Sequence, residues 1–263
     1  MMRRVWAALL VEWTKAARRR ITVAGPLAVL LAVLASAMVM PVVRDDVSDY
    51  GFVSFATGLA LNPLGLFFVL AFSAGLIAPE VQDGSVRAML VRPLYRREYL
   101  FAKLLLGMGY AAVLILTAGV ASWAMLYILG DALGVTYGGE LLYSPGAMLR
   151  TYWLGAALAL LPQWAAVAYG LLVSVCSRSG VAAITIAFGA WLMVDVAKYQ
   201  ANVPQIWVAT YLDVPWEPFI DRVNGIESNW LQRVLLLVQV SSIAWCVATA
   251  GAVFVLNRRN ICR

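Results

Sequence analysis

Long, almost uncharged apolar runs constrain this chain more than any other feature of its sequence. Residues 21–43, for example, contain no charged side chain, and an α-helix needs only ~20 residues to cross the hydrocarbon core of a bilayer. Across the chain, 63% of the residues are hydrophobic and only 13% are charged. Because lipid offers the backbone no hydrogen-bond partners, each run must satisfy its own backbone as a helix. The sequence therefore predicts an all-α integral membrane protein.

Six transmembrane helices are predicted, at about 21–43, 59–78, 99–130, 151–176, 181–199 and 230–256. Since the spans and their connectors use up the 263 residues, they form one transmembrane domain. The third span is longer than a bilayer requires and is expected to project beyond it. Pro162 is a candidate break in the fourth span. Near the end of the fifth span, Asp195 and Lys198 are three residues apart, so a local ion pair is favoured over a place on an ion path.

The basic residues are distributed unevenly between the two sides of the predicted bundle. With both termini in the cytoplasm, the inner segments 1–20, 79–103, 176–180 and 257–263 hold 15 of the 20 lysines and arginines. Ten of the 14 acidic residues then lie outside. This asymmetry follows the positive-inside rule, which predicts cytoplasmic termini, an external segment at 45–50 and a place in a bacterial cytoplasmic membrane. The net charge of +6 is explained in the same way, so no nucleic-acid partner is expected.

Residues 1–20 are predicted to form an amphipathic helix in the inner membrane interface. At ~100° per residue, one arc carries Val5, Trp6, Leu9, Leu10, Trp13, Ala16 and Ala17, and the opposite arc carries Arg4, Lys15, Arg18 and Arg19. Tryptophans on one face and basic residues on the other suit a helix lying on membrane lipids. The same basic residues could also serve only to keep the N-terminus in the cytoplasm, a role that is compatible with the interface helix. A cleaved signal peptide ending near Ala35-Ser36-Ala37 is disfavoured, because the basic region is too long.

The connector between the second and third spans, residues 79–103, carries eight charged residues and two prolines. Glu80 and Asp83 lie where the first turn of a helix favours negative charge. An apolar stripe follows at i, i+3 and i+4, formed by Val86, Met89 and Leu90. Pro93 ends the helix, because a residue before proline is disfavoured in the α region. A short helix over 79–93 is therefore expected on the cytoplasmic face.

These residues resemble a known family of membrane proteins. Glu80-x-Gln82-x-Gly84-Ser85, followed by Leu90, Pro93, Arg96 and Lys103, is similar to the E-x-E-x-G-T…L…P…R…K signature of ABC-2 type permeases of ABC transporters. Gln82 replaces the second acid of that signature, and Ser85 replaces its threonine. Glu12-x-x-Lys15-x-x-Arg18 resembles the N-terminal interface helix of the family, and residues 257–260 resemble its C-terminal end.

The resemblance implies the transmembrane subunit of an ATP-driven exporter. Two such permeases, most simply two copies of this chain and alternatively a heterodimer, would pair with two cytoplasmic ABC ATPase subunits. The helix over 79–93 would be the coupling helix, and its contacts would come from Glu80, Gln82, Asp83, Gly84, Ser85, Val86, Met89, Leu90, Pro93 and Arg96. The chain has no Walker A sequence and no Gly-Lys pair, so ATP and magnesium are expected on the partner ATPase.

No catalytic, metal or cofactor site is predicted within the chain itself. There is no histidine, which excludes a Ser-His-Asp triad, a Cys-His pair and a histidine-bound zinc. The three cysteines, Cys176, Cys246 and Cys262, are isolated and form neither a metal motif nor an obvious disulfide. The chain is therefore not expected to be an enzyme.

Polar residues within the spans are candidates for a substrate path. Asn62, Gln163 and Gln239 are the main ones, although hydrogen bonding between helices is the default explanation for such residues. The outer connector 200–229 is rich in aromatic residues. By the resemblance it would form short helices that dip into the outer leaflet and close the exit, and interfacial anchoring explains the same residues equally well.

Two other classes of protein remain open at this point. A non-transporting membrane protein, such as an immunity or scaffold subunit, has the same composition. An ion-coupled carrier is less favoured, because it needs embedded carboxylates and usually internal repeats. A neighbouring gene for an ATPase with Walker motifs would favour the exporter. The substrate could be a lipid, a drug, a peptide or another natural product.

Overall fold

The computed structural model describes residues 2–42, 48–84, 95–137, 140–200, 204–227 and 229–258, without the side chains of residues 2–5, 7 and 137. Its helices are α1 Met2–Ala17, α2 Arg20–Val39, α3 Tyr50–Leu59, α4 Leu66–Ala74, α5 Ala78–Gln82, α6 Arg96–Leu129, α7 Pro145–Cys176, α8 Gly180–Gln200, α9 Glu217–Val223 and α10 Leu231–Arg258. A π-helix, Ala60–Gly65, joins α3 to α4. Strands β1 Val135–Tyr137 and β2 Glu140–Tyr143 form an antiparallel hairpin that was not predicted.

Six helical segments in the described residues are long and apolar enough to cross a bilayer, which confirms the predicted number and the all-α membrane fold. They are α2, the segment Tyr50–Gln82, α6, α7, α8 and α10. The second segment begins at Tyr50 rather than near residue 59, which corrects the predicted boundary. Its first turns bury Tyr50, Phe52 and Val53 in the bundle, so they continue the span.

Consecutive spans run in opposite directions. At one end, Arg19 of the α1–α2 junction donates a hydrogen bond to the carbonyl of Gly75, just past α4, at 2.8 Å. At the other end, the Asp49 carboxylate accepts a hydrogen bond from the amide of Asp131, just past α6, at 2.7 Å. We call the first the charged end and the second, which carries the β-hairpin, the hairpin end.

Helix α7 packs at the centre of the bundle against α4, α6 and α10. Glycines allow its closest contacts. A Cβ at Gly170 would lie 2.0 Å from the hydroxyl of Ser73 on α4, and one at Gly155 would lie 2.6 Å from the carbonyl of Pro215. Small residues commonly permit close approach between membrane helices, where lipid supplies no hydrophobic driving force.

The irregular turn lies in the second span, not in the fourth. Helix α7 continues through Pro162 from Pro145 to Cys176, so the expected break is wrong. Neighbouring helices allow a proline to be accommodated within a membrane helix. The π-helix in the second span contains Pro63, and such wider turns are a common site of helix distortion.

The aromatic connector after α8 forms three short 3₁₀ helices, Pro204–Ile206, Val208–Tyr211 and Val214–Trp216, followed by α9. Trp216 and Phe219 are buried, and their rings lie 5.4 and 5.3 Å from the ring of Tyr152 on α7. Trp207 is 40% exposed. Most of these aromatic side chains therefore pack on the protein rather than only anchoring it in the interface. The short helices agree in form with those expected, and their role in closing an exit stays a prediction.

Three spans are covered least by the rest of the chain. On α8, the Lys198 ammonium lies 2.6 Å from the Asp195 carboxylate, which confirms the predicted local pair. In the most apolar stretches of α2, α8 and α10, only 22%, 11% and 22% of the residues are buried. The faces of these three helices are therefore available to lipid or to another chain.

Candidate functional site

Lys103, in the third turn of α6, is the centre of a cluster of charged residues at the charged end. Its side chain is fully buried, and its ammonium lies 2.6 Å from the carboxylate of Glu12 and 2.8 Å from that of Glu80. The hydroxyl of Tyr99, one turn earlier on α6, donates a hydrogen bond to Glu80. A buried charge is tolerated only when it is paired, and here one cation satisfies two acids.

Two half-exposed cations complete the cluster. The Lys15 ammonium lies 3.3 Å from Glu12 and 3.8 Å from Glu80, and the Arg19 guanidinium lies 3.7 Å from Glu80. We call Glu12, Lys15, Arg19, Glu80, Tyr99 and Lys103 the ion-paired junction. It connects α1, α5 and α6, and so links the first helix to the ends of the second and third spans.

The turn between α4 and α5 is held in place from a third direction. The hydroxyl of Ser174, on α7, accepts hydrogen bonds from the amides of Ile77 and Ala78 at 3.1 and 2.9 Å and donates one to the carbonyl of Ala74 at 2.5 Å. These bonds satisfy backbone groups that the change of direction would leave without partners. The backbone that leads to Glu80 is therefore fixed to the fourth span as well as to α6.

Helix α1 presents different residues to the protein and to its surroundings. Ala8, Glu12 and Ala16 are buried against the bundle, whereas Trp6 and Trp13 are 63% and 56% exposed. Glu12 and Lys15 thus belong to the junction, and Arg18, predicted with them, lies exposed just beyond the helix. The exposed tryptophans agree with a helix in the membrane interface, which stays a prediction.

Only the first part of the predicted coupling helix, up to Gly84, lies within the described residues. Helix α5 ends at Gln82, and Asp83 and Gly84 form a turn in which Gly84 has a φ of +69°. Glycine adopts this left-handed conformation without strain. Gln82, Asp83 and Gly84 are all exposed at the tip of the segment. Ser85, Val86, Met89, Leu90 and Pro93 lie outside the described residues.

Two predicted contact residues have partners within the chain. Glu80, which the resemblance makes a contact for the ATPase, is buried on Lys103 in the single chain, and its contact with a partner stays a prediction. Arg96 donates hydrogen bonds to the carbonyls of Leu256 and Asn257 at 3.0 and 3.2 Å, which ties α6 to the end of α10. Both side chains therefore hold the bundle together at its charged end.

The three candidate path residues lie in separate environments. The amide of Asn62 donates a hydrogen bond to Asp213, which links the π-helix to the connector. Gln163 is buried, and its Oε1 atom has no hydrogen-bond partner among the described residues. Gln239 is exposed on α10. The structure does not bring these side chains together, and their role in a path stays a prediction.

Sequence reasoning missed Arg19 and Tyr99 as parts of this site, whereas Ser174 was expected to form bonds between helices and does so. The same reasoning identified Lys103 only as a member of a motif. A usable signal was present, because the inner segments hold few acids and two of them, Glu12 and Glu80, lie beside apolar runs. Acids in such places need cations, and Lys103 is the basic residue closest to the interior of a span.

The described residues thus form a bundle of six spans in which Glu80, just past the second span, is buried on Lys103 of the third. Comparison with protein families supports a specific assignment. A family model described as "ABC-2 family transporter protein" matches residues 8–190, which is more than half of the chain. The chain therefore belongs to the ABC-2 transporter family, whose members are membrane components of ABC-type transporters. A comparison with curated proteins gave no match.

Proposed function

We propose that this chain is the permease subunit of an ABC exporter and is driven by separate cytoplasmic ATPase subunits. The observation that carries the proposal is the ion-paired junction, in which Lys103 joins Glu12 of α1 and Glu80 of α5. Family membership supports the same conclusion. ATP and magnesium would bind to the partner, because the chain has no Walker A sequence.

The junction supports a mechanical form of coupling. The exposed tip at Gln82, Asp83 and Gly84 is connected on one side to α5 and on the other, through residues 85–95, to α6. Because Lys103 and Glu80 pair across these helices, a displacement of the tip would move the second and third spans together. Helix α1 would move with them through Glu12. Energetic coupling requires an element whose position both the ATPase and the membrane spans can change, and a rigidly held segment between them meets that requirement.

A second permease subunit is part of the proposal, preferably a second copy of this chain, with a heterodimer as the alternative. Helices α2 and α8 are preferred for the interface, and they are among the spans least covered in the single chain. A path for substrate would then form between the two copies.

The function is tested by purifying the tagged chain from its native membrane in mild detergent. We expect an ABC ATPase subunit to co-purify, with vanadate-sensitive ATP hydrolysis, at two ATPases to two permeases by native mass spectrometry. The matched control is a tagged, unrelated six-span protein from the same membrane. A purified chain that carries no ATPase and shows no hydrolysis above this control would contradict the proposal. One permease per two ATPases would contradict only the pairing of permeases.

The orientation is tested with single-cysteine variants. Thr136, on the hairpin, is exposed, and Cys176, at the charged end, is an exposed free thiol. In a protein that keeps only Cys176, a membrane-impermeant maleimide should label broken cells but not intact cells. In a cysteine-free background, Thr136→Cys should be labelled in intact cells, because the positive-inside rule places the charged end in the cytoplasm. The reverse pattern would show that the termini are outside.

A further inference from the structure

A groove lies between α10 and the start of α6 and shares no residue with the ion-paired junction. Its volume is about 540 Å³, and its walls are formed by Arg97 of α6 and by residues of α10 that include Trp245, Val253 and Phe254. Asn257 lines it at the charged end. The groove therefore follows one lightly covered face of the sixth span.

The length of this groove matches one leaflet of a bilayer. The α10 residues that line it extend from Trp245 to Asn257, which at 1.5 Å per residue is about 18 Å. Half of a typical hydrocarbon core is about 15 Å. The side chains along it are mainly apolar, and Phe254 is 55% exposed. An extended hydrocarbon chain of the adjoining leaflet would fit these dimensions.

The mouth of the groove is basic. Arg97 is exposed, Arg96 is held nearby on the carbonyls of Leu256 and Asn257, and the Arg258 guanidinium lies 4.2 Å from the centre of the Phe254 ring. No carboxylate is among the described residues that line the groove. Glu98, beside Arg97, is buried and accepts a hydrogen bond from the amide of Tyr95. An anion at the mouth would therefore meet positive charge.

We propose that this groove binds an anionic glycerophospholipid. One acyl chain lies along α10, and the phosphate contacts Arg97 at the level where both helices leave the bilayer. Basic sites between helices at this level are suited to anionic head groups. Positive charge confined to one end of an apolar groove favours a lipid over a second protein chain or a free phosphate ion. The proposal does not depend on the ATPase or on the transported substrate.

Two native cysteines allow a direct test. Cys246 lines the groove and is an exposed free thiol, and Cys176 is exposed and does not line it. Two single-cysteine proteins are needed. The first carries Cys176→Ser and Cys262→Ser and keeps Cys246, and the second carries Cys246→Ser and Cys262→Ser and keeps Cys176. Each is purified in detergent, and its labelling rate with N-ethylmaleimide is measured with added phosphatidylglycerol or phosphatidylcholine of the same acyl chains. Phosphatidylglycerol should slow the labelling of Cys246 at least about fivefold relative to phosphatidylcholine. The rate at Cys176 should be the same with both lipids.

Two matched arginine variants distinguish binding of the lipid at Arg97 from nonspecific attraction of the anionic lipid to basic residues. In the Cys246 protein, Arg97→Gln should abolish the difference between the two lipids. Arg178→Gln, which removes an exposed arginine at the same end but outside the groove, should preserve it. Equal protection of Cys246 by both lipids would overturn the proposal. So would an equal difference between the two lipids in Arg97→Gln and Arg178→Gln. A change to a dimer on phosphatidylglycerol addition, with protection of Cys246 only in the dimer, would identify the occupant as a second copy instead.

Discussion

Lys103→Met is expected to destabilise the protein by about 3–5 kcal/mol, the usual cost of breaking a buried ion pair by removing one partner. The change removes the one fully buried cation of the junction and leaves Glu12 and Glu80 buried together. The remaining cations, Lys15 and Arg19, are farther from the carboxylates and partly exposed, so they compensate only in part. The thermal midpoint of unfolding is measured in detergent by fluorescence. The yield of monodisperse protein is measured as a second readout.

Two further variants make this result specific to the junction. Lys15→Met removes the same charge from a side chain that is 39% exposed, and it should cost no more than about 1 kcal/mol. Adding Glu12→Gln and Glu80→Gln to Lys103→Met should restore much of the lost stability, because uncharged groups replace the unpaired carboxylates. If Lys103→Met were as mild as Lys15→Met, the junction would not hold α1, α5 and α6 together.

Asp83→Lys is expected to cause the largest loss of function without a loss of folding. Asp83 is exposed at the tip of the segment, where the proposal places the ATPase. A like charge placed against a basic partner surface costs several kcal/mol, so the amount of ATPase that co-purifies should fall at least about tenfold. Leu90→Asp, which puts a charge on the apolar stripe predicted to contact the ATPase, should have a similar effect. ATP hydrolysis per permease should fall in parallel.

The matched control for this charge reversal is Glu140→Lys. Glu140 is an exposed acid on β2 at the hairpin end, so its reversal should leave ATPase recruitment unchanged. The thermal midpoint of Asp83→Lys should stay at the wild-type value, since no described residue bonds to this side chain. Normal recruitment and hydrolysis in both Asp83→Lys and Leu90→Asp would show that the segment only enforces topology.

The spans could be predicted because each depends on a local property of the sequence. A run of ~20 apolar residues is sufficient to select a membrane helix, whatever the rest of the chain does. The Asp195–Lys198 pair could be predicted for the same reason, since residues three apart share one face of a helix. The second span was the exception. Its first turns, which the prediction left out, bury Tyr50, Phe52 and Val53 against the bundle, and this packing shows that they belong to the span.

The site could be predicted only in outline. The motif identified the segment around Glu80 as a contact for a partner, but local reasoning did not predict that Lys103 buries its carboxylate. Similar reasoning suggested a break at Pro162, where the neighbouring helices instead allow α7 to continue. In both cases the outcome depends on which groups other helices bring within reach, and residue spacing carries no information about that.

Apolar run length and charge asymmetry by themselves determined that this protein is a six-span helical membrane protein with a polar segment between its second and third spans. Only the tertiary structure decided what that segment is attached to. Glu12 and Lys103 are 91 positions apart in the chain, and Ser174 is 97 positions from the amide of Ile77 that it binds. Such contacts arise because a buried charge or an unpaired backbone group is costly, so packing must bring a partner to it from elsewhere in the chain.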